Sequence, residues 1–381
     1  MKKKKEITSL IDHINYKTTV CKEMESSPIL DDFIVLKQRI QDNEFKGIIL
    51  YAEAVNWEPI QRPQQLLMQF ANSGYLCFFC EVDKEDKYVL KEINKNLFVV
   101  NGEEKLIPLL KNKNVIFYIS YFLQYVFSQN FSQKIIWFDI LDRLDFFSGY
   151  NSYSKKIWDK LRRKSDFITY SATKLKKYAK FKKAVLLPNA ANVEDFIIDK
   201  DIIYEDLQNI ISNGKKIIGY YGAVEKWFNW DVIKILNDTN KYSIVIIGNI
   251  GVDVDMELKN VYCLGPKKFS DLKYYASHFD VALIPFIVNK ITNNVSPVKF
   301  FEYLAMHLPV LSTNIYEMRK YKSCILKLVD NDEIKNVEKY IDELIKIDKK
   351  TVIVESFKIL EENTWSIRAD KVIELINRSK K

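Results

Sequence analysis

The chain has 381 residues, 48% of them apolar, and carries 58 basic against 50 acidic side chains for a net charge of +8. That length and apolar content provide for two hydrophobic cores rather than one. No apolar run approaches the ~20 residues of a membrane span, and the MKKKKE start leads into mixed polar sequence rather than a signal-peptide core, so a cytoplasmic protein is expected.

The positive balance points to an anionic partner without naming it. Cys21, Cys77, Cys80, Cys263 and Cys324 are odd in number and scattered, which points to reduced thiols rather than a disulfide framework. Cys77 and Cys80 form a CxxC inside YLCFFCEV, but no second pair exists to complete a zinc site, and they read as part of a buried strand.

Residues 1–45 read as a polar leader with one amphipathic helix near 28–42. Strand-like runs follow: GIILYAEA (47–54), YLCFFCEV (75–82), VIFYIS (115–120), KIIWFDI (134–140), DFITYS (166–171) and AVLLPN (184–189). Most are separated by helix-length segments, the pattern of a parallel sheet covered on both faces. Between Lys155 and Lys183 twelve Lys or Arg stand against Asp159 and Asp166, interleaved with Trp158, Phe167, Tyr170, Tyr178 and Phe181. Such a segment is either a docking surface for an anionic membrane or phosphorylated acceptor, or a solvated helix face.

After Phe196 the pattern lapses over IIDKDIIYEDLQNIISNGK and resumes with KIIGYYGA (216–223), YSIVIIGN (242–249), NVYCLGP (260–266), DVALIPF (280–286), LPVLST (308–313) and CILKLV (324–329). From about Asn331 the sequence reads as helical. The expected architecture is α/β: two doubly wound, Rossmann-like parallel-sheet domains at 46–200 and 214–362, after the leader 1–45 and before a last helix at 363–381. With their sheets apposed, the two would face a cleft.

In open α/β sheets ligands bind beyond the carboxyl ends of the strands, where strand order reverses. The strand ends of the first half offer Trp57 and Arg62, then Asp139, Asp142, Arg143 and Asp145. Those of the second offer Gly219, Gly222, Glu225, Lys226 and Trp227, then Gly248, Asn249, Gly265 and the Asn289–Ser296 loop. Asp142 reads as a catalytic carboxylate or as a helix cap paired with Arg143, and Trp57 and Arg62 as acceptor-side residues or as the lock of a turn. Asp253-Val-Asp255 mimics a metal-binding DxD but reads as a solvated loop.

The run NNVSPVKFFEYLAMHLPVLST places Lys299 and Glu302 on one face of an otherwise apolar helix. Pro297 suits the first helical position, with Ser296 as its N-cap. A helix that starts at the carboxyl end of a strand is an anion site, and Lys299 adds a full charge to it. A carboxylate beside an anion has a task if it accepts hydrogen bonds from sugar hydroxyls, so a nucleoside diphosphate linked to a sugar satisfies both residues. The alternative is a surface ion pair worth under ~1 kcal/mol.

SPVKFFEYLAMHLPVLST with the preceding DVALIPF and the following Glu317 resembles the nucleotide-sugar signature of group 1 (family-four-like) GT-B glycosyltransferases. GYYGAVEKWFNWDVI and W-x-x-x-x-QRPQQL resemble a bacterial branch that builds surface polysaccharides such as teichuronic acid or capsule. VLLPNAANVEDF resembles the element ahead of the interdomain linker, and TWSIRADKVIELI the final helix that crosses back onto the first domain. The resemblance implies that Glu302 contacts the ribose, that Lys299 neutralises the diphosphate beside Gly222 with help from Lys226, and that Asn294 stands where the family has a glutamate at the donor sugar. The family's histidine has no counterpart among His13, His278 and His307, which leaves Asp142, or Asp139, as the catalytic carboxylate.

The implied activity is metal-independent, retaining transfer from a UDP- or GDP-sugar, with no further cofactor, to a glycan or lipid-linked acceptor. Separately from the resemblance, the docking reading of 155–183 adds an anionic membrane surface as a partner, and no nucleic acid is expected. A nucleotide-sugar epimerase and a GT-B partner protein without chemistry are the rival readings; dehydrogenase chemistry lacks its G-x-G-x-x-G.

Overall fold

The computed structural model describes residues 2–82, 87–146, 150–180, 184–252 and 258–380. The chain divides into two compact units, Met1–Leu187 with Arg368–Lys381, and Pro188–Ile367.

The first unit is built on β1 (Ile48–Tyr51), β2 (Leu76–Glu81), β3 (Leu90–Asn94), β4 (Leu97–Asn101), β5 (Val115–Ile119), β6 (Lys134–Ile140), β7 (Phe167–Tyr170) and β8 (Ala184–Leu186). They lie in the order β3-β4-β2-β1-β5-β6-β7-β8, parallel throughout except for β3 against β4. β1, β2 and β5 are buried along their whole length, as expected of apolar strands covered on both faces. The β3–β4 hairpin was not expected from the sequence. β3 is an edge strand whose polar residues remain exposed or half-buried, so it shows no apolar periodicity.

The expected leader is part of this unit. Besides the helix Ile34–Gln41 there is a helix at Lys2–Glu25, and Cys21, Phe33, Leu36 and Ile40 are buried in the first core. Lys17 of the long helix reaches the carboxyl ends of β1 and β4, where its ammonium donates to Glu53 at 2.9 Å and to Glu104 at 3.3 Å. Glu53 and Glu103 are tied to each other: the Glu53 N–H donates to Glu103 Oε2 at 2.8 Å, and the Glu103 N–H to Glu53 Oε1 at 3.2 Å. At the other end of the chain the helix Trp365–Ser379 belongs to the first unit from Arg368 onward.

The second unit contains β9 (Lys216–Tyr221), β10 (Tyr242–Ile247), β11 (Val261–Cys263), β12 (Val281–Ile284), β13 (Val310–Thr313) and β14 (Leu326–Val329). All are parallel, in the order β11-β10-β9-β12-β13-β14. This unit begins earlier than expected, at Pro188. Phe196 belongs to the second core, and the stretch after it, where the strand pattern lapses, adds Leu207 and Ile210 from the helix Glu205–Ser212. Among the parallel strands of each sheet the order reverses once, between β1 and β5 and between β9 and β12. Those two positions are where an open sheet takes a ligand. Among the described residues no helix is long and apolar enough to cross a membrane.

Candidate functional site

At the reversal point of the second sheet the chain leaves β9 through Gly222, whose φ of 129° is one that side chains rarely adopt. Its N–H donates to Ile247 O at 2.7 Å, which ties the ends of β9 and β10 together. A Cβ at this position would lie 2.1 Å from Lys299 Cε and 2.6 Å from its Nζ. The absent side chain is therefore the space that the lysine occupies. The ammonium also lies 5.6 Å from the centre of the Tyr220 ring. Lys299 is half-buried and, among the described residues, has no carboxylate within ion-pair distance; burial lowers its pKa, with Glu302 opposing.

Lys299 and Glu302 belong to the helix Val298–Ala305, as the spacing predicts, but they do not pair with each other. Glu302 is 7% exposed and accepts from the Tyr221 hydroxyl at 2.9 Å. Burial raises its carboxyl pKa, against the pull of Lys299 and of that hydrogen bond. The reading as a surface ion pair is thereby set aside: both groups are withdrawn from water and hold separate positions. Tyr220 and Tyr221, adjacent in β9, thus each meet one of the two charges. Neither tyrosine was singled out from the sequence, although alternation along KIIGYYGA was the signal that could have done so.

The loop into the helix differs from expectation. Pro297 is itself the N-cap, and among the described residues no side chain caps the helix; the Phe300 N–H turns back to Pro297 O at 3.2 Å. Ser296, expected as the cap, accepts from the Asn189 N–H at 3.3 Å, while the Asn189 amide donates to Ser296 O at 2.6 Å. Asn189, from the PNAANVEDF stretch, thus fastens the segment on which the helix begins. Asn294 is 4% exposed; its amide nitrogen donates back to Lys290 O, and its Oδ1 is buried with no hydrogen-bond partner among the described residues. Lys226 is exposed, on the loop after β9.

In the first unit, two expected site residues turn out to be structural. Asp139 is fully buried and Arg62 5% exposed, and the guanidinium holds the carboxylate in two bonds of 2.7 and 3.1 Å. Tyr118 and Thr169 add donors at 3.0 and 2.6 Å. A carboxylate so satisfied is neither a base nor a nucleophile, so the catalytic role for Asp139 and the acceptor-side role for Arg62 are withdrawn. Trp57 is a turn lock as well: 8% exposed, edge-on to Phe79, its N–H on Glu81 at 2.8 Å and its carbonyl held by Gln64. Asp142 is different. It is half-buried in the bend after β6, Arg143 pairs instead with Asp145, and burial pushes the Asp142 carboxyl up to about 6.

Within 155–180 the cationic side chains are exposed except Arg162, which pairs with Asp159 and donates to Tyr178 O at 2.8 Å. The interleaved aromatics are not a surface feature: Trp158, Phe167 and Tyr170 are buried in the core and Tyr178 is half-buried, while Phe181 lies outside the described residues. Asp253 and Asp255 lie outside them too, and among the described residues no group of His, Cys, Asp or Glu could hold a metal ion.

Solved structures share this architecture over nearly their whole length. Sucrose-phosphate synthase from Thermosynechococcus elongatus superposes with a TM-score of 0.66 at 13% identity, over 87% of this chain and 98% of that one. The fold is that of the GT-B glycosyltransferases. The catalytic domain of Arabidopsis thaliana starch synthase IV, bound to ADP and acarbose, gives 0.65 at 10% identity over 88% and 99%. Anabaena HepE, in complex with UDP and glucose, gives 0.61 at 11% identity over 86% and 99%. No protein-family model matches the chain, and no curated protein is similar to it in sequence.

Proposed function

We propose that the GT-B second unit binds a nucleotide sugar, with UDP or GDP as its nucleotide, and that the chain transfers the sugar to a hydroxyl of a growing bacterial surface polysaccharide. The observation that carries this reading is Lys299: a half-buried ammonium laid across a bare glycine at the strand reversal, beside a helix start without a side-chain cap, with no carboxylate within ion-pair distance among the described residues. A diphosphate supplies the missing charge. Glu302, oriented by Tyr221, then accepts from the ribose hydroxyls. The complexes of HepE with UDP and of starch synthase IV with ADP support a nucleotide in a site of this fold.

In the proposed reaction the bond from the sugar's anomeric carbon to the diphosphate breaks, its electron pair leaving with the phosphate, and an acceptor hydroxyl forms the new bond with retention of configuration. Lys299 and the helix N-terminus stabilise the departing charge, so no step calls for a metal. Asp142, its carboxyl at about 6, is assigned the acceptor's proton. The acceptor is lipid-linked, and the exposed cations of 155–180 hold the protein against the anionic inner face of the membrane.

The test is a thermal-shift screen with UDP, GDP, dTDP, ADP and CMP, followed by donor turnover in Lys299→Ala and Glu302→Ala. A selective shift and a loss of at least about tenfold in each variant are expected. Turnover within a few-fold of wild type in both would sink the assignment. Asn294 favours a second reading, a GT-B partner without chemistry, because it puts an amide where the resemblance has a glutamate; a chain that no nucleotide stabilises would favour it.

A further inference from the structure

The loops after β9 and β12, the two strands that flank the reversal, are stitched together. Phe228 and Phe286 form an antiparallel bridge, the Ile287 N–H donates to Trp227 O at 2.7 Å, and the Asn229 N–H to Pro285 O at 2.7 Å. In that register Trp227 lies directly opposite Ile287, and both side chains point away from the face that buries Phe228 and Phe286. Phe228 and Phe286 are 2% and 6% exposed, whereas Trp227 and Ile287 are each 38% exposed. The ribbon thus turns one aromatic pair into the core and holds an indole and a branched aliphatic side by side in solvent. It does so at the crevice where an open sheet takes its ligand.

We infer that Trp227, backed by Ile287, is the platform on which the hexose of the donor stacks its apolar face, a positioning role that rests on the nucleotide-sugar reading above. The helix sets the order of the donor's parts. Glu302, one turn in, takes the ribose; Lys299, in the first turn, takes the diphosphate; the residues ahead of the helix start lie beyond the diphosphate. Ile287 begins the loop that runs to that start, and Trp227 is fastened to Ile287. The ring that reaches the indole is therefore the sugar at the far end of the donor. A ring with axial C–H groups on one face meets the indole through those groups and leaves its hydroxyls at the rim. Trp227 is also the one tryptophan of the six that is exposed; Trp57, Trp137, Trp158 and Trp365 are buried and Trp230 half-buried.

Calorimetric titration of wild type and Trp227→Ala with UDP and UDP-glucose, and with GDP and GDP-mannose, tests the inference. For the nucleotide that binds, the sugar nucleotide should bind wild type more tightly than the bare diphosphate, and Trp227→Ala should remove about tenfold of that affinity while changing the bare diphosphate less than about twofold. Trp227→Phe should restore most of the loss. Acrylamide quenching of wild type gives an independent readout: the sugar nucleotide should shield the exposed indole and the bare diphosphate should not. Equal weakening of both ligands in Trp227→Ala, or no change in either, would overturn the platform and leave the donor site intact. A wild type that binds none of the four overturns the donor reading and the platform with it.

Discussion

Replacing Glu103 by glutamine should stabilise the first unit in alkaline solution and leave it nearly unchanged in acid. Glu103 is 6% exposed, and its Oε2 accepts from the Glu53 N–H at 2.8 Å, with the Glu53 carboxylate beside it. Burial, and then the charge of Glu53, push its pKa from 4.5 to about 8. The neutral form is the one the fold prefers, so the stability it contributes is complete below pH 4.5, declines as the unfolded chain ionises first, and is gone above about pH 8. At 1.36 kcal/mol per unit the decline is on the order of 5 kcal/mol, shared with the neighbouring carboxylates that titrate with it. Glutamine keeps the acceptor for the Glu53 N–H and does not ionise. Urea unfolding of the full chain, followed at pH 5 and pH 8, should show the two proteins within about 1 kcal/mol at the lower pH and the variant ahead by several at the higher. A gap that is the same at both pH values would refute the reasoning, since it would mean that Glu103 carries no proton in the fold.

Three further outcomes follow from the geometry. Gly222→Ala would place a Cβ 2.1 Å from Lys299 Cε on a backbone of φ 129°; nucleotide affinity should fall at least about tenfold, and an unchanged titration would show that the lysine's position is not what holds the ligand. Arg62→Met strands the Asp139 carboxylate in the core and should lower stability by about 3–5 kcal/mol in chemical unfolding, a loss under about 1 kcal/mol being the contrary result. Asp142, ionised above about 6, should give the transfer rate an acid limb near that pH, and Asp142→Asn should lower the rate and abolish the limb; a limb that persists belongs to another group.

The sequence displayed what depends on local period. β6 coincides with KIIWFDI, and the six strands of the second unit lie within the runs expected for them, because a buried parallel strand is apolar whatever its partners are. The helix from Val298 was legible for the same reason, with Lys299 and Glu302 as the two polar positions on an apolar cylinder. Long-range partners were not legible. Asp139 meets Arg62 from 77 residues away and Thr169 from 30, and nothing in DILDRLD distinguishes that carboxylate from Asp142 three residues later. The long N-terminal helix escaped notice because its membership in the first unit depends on single contacts, Cys21 in the core and Lys17 among three glutamates, rather than on an apolar stripe.

What separates scaffold from site in this molecule is whether the fold completes a charge by itself. Arg62, at the start of the helix after β1, and Asp139, near the end of β6, both stand where the sequence suggested a ligand, yet each is the other's partner, and Tyr118 and Thr169 fill the remaining positions on the carboxylate. Such a pair is closed, and removing one member harms stability because the other is left buried and alone. Lys299 has the same setting and the opposite outcome. It is withdrawn from water, which favours its neutral form, and Glu302, one turn along the same helix, is bonded to Tyr221 instead of to it. A fold optimised for stability alone would join Lys299 and Glu302, whose i, i+3 spacing allows it. Holding them apart keeps the ammonium unneutralised and the carboxylate oriented, an arrangement that becomes favourable when a ligand brings an anion to the first and hydroxyl donors to the second.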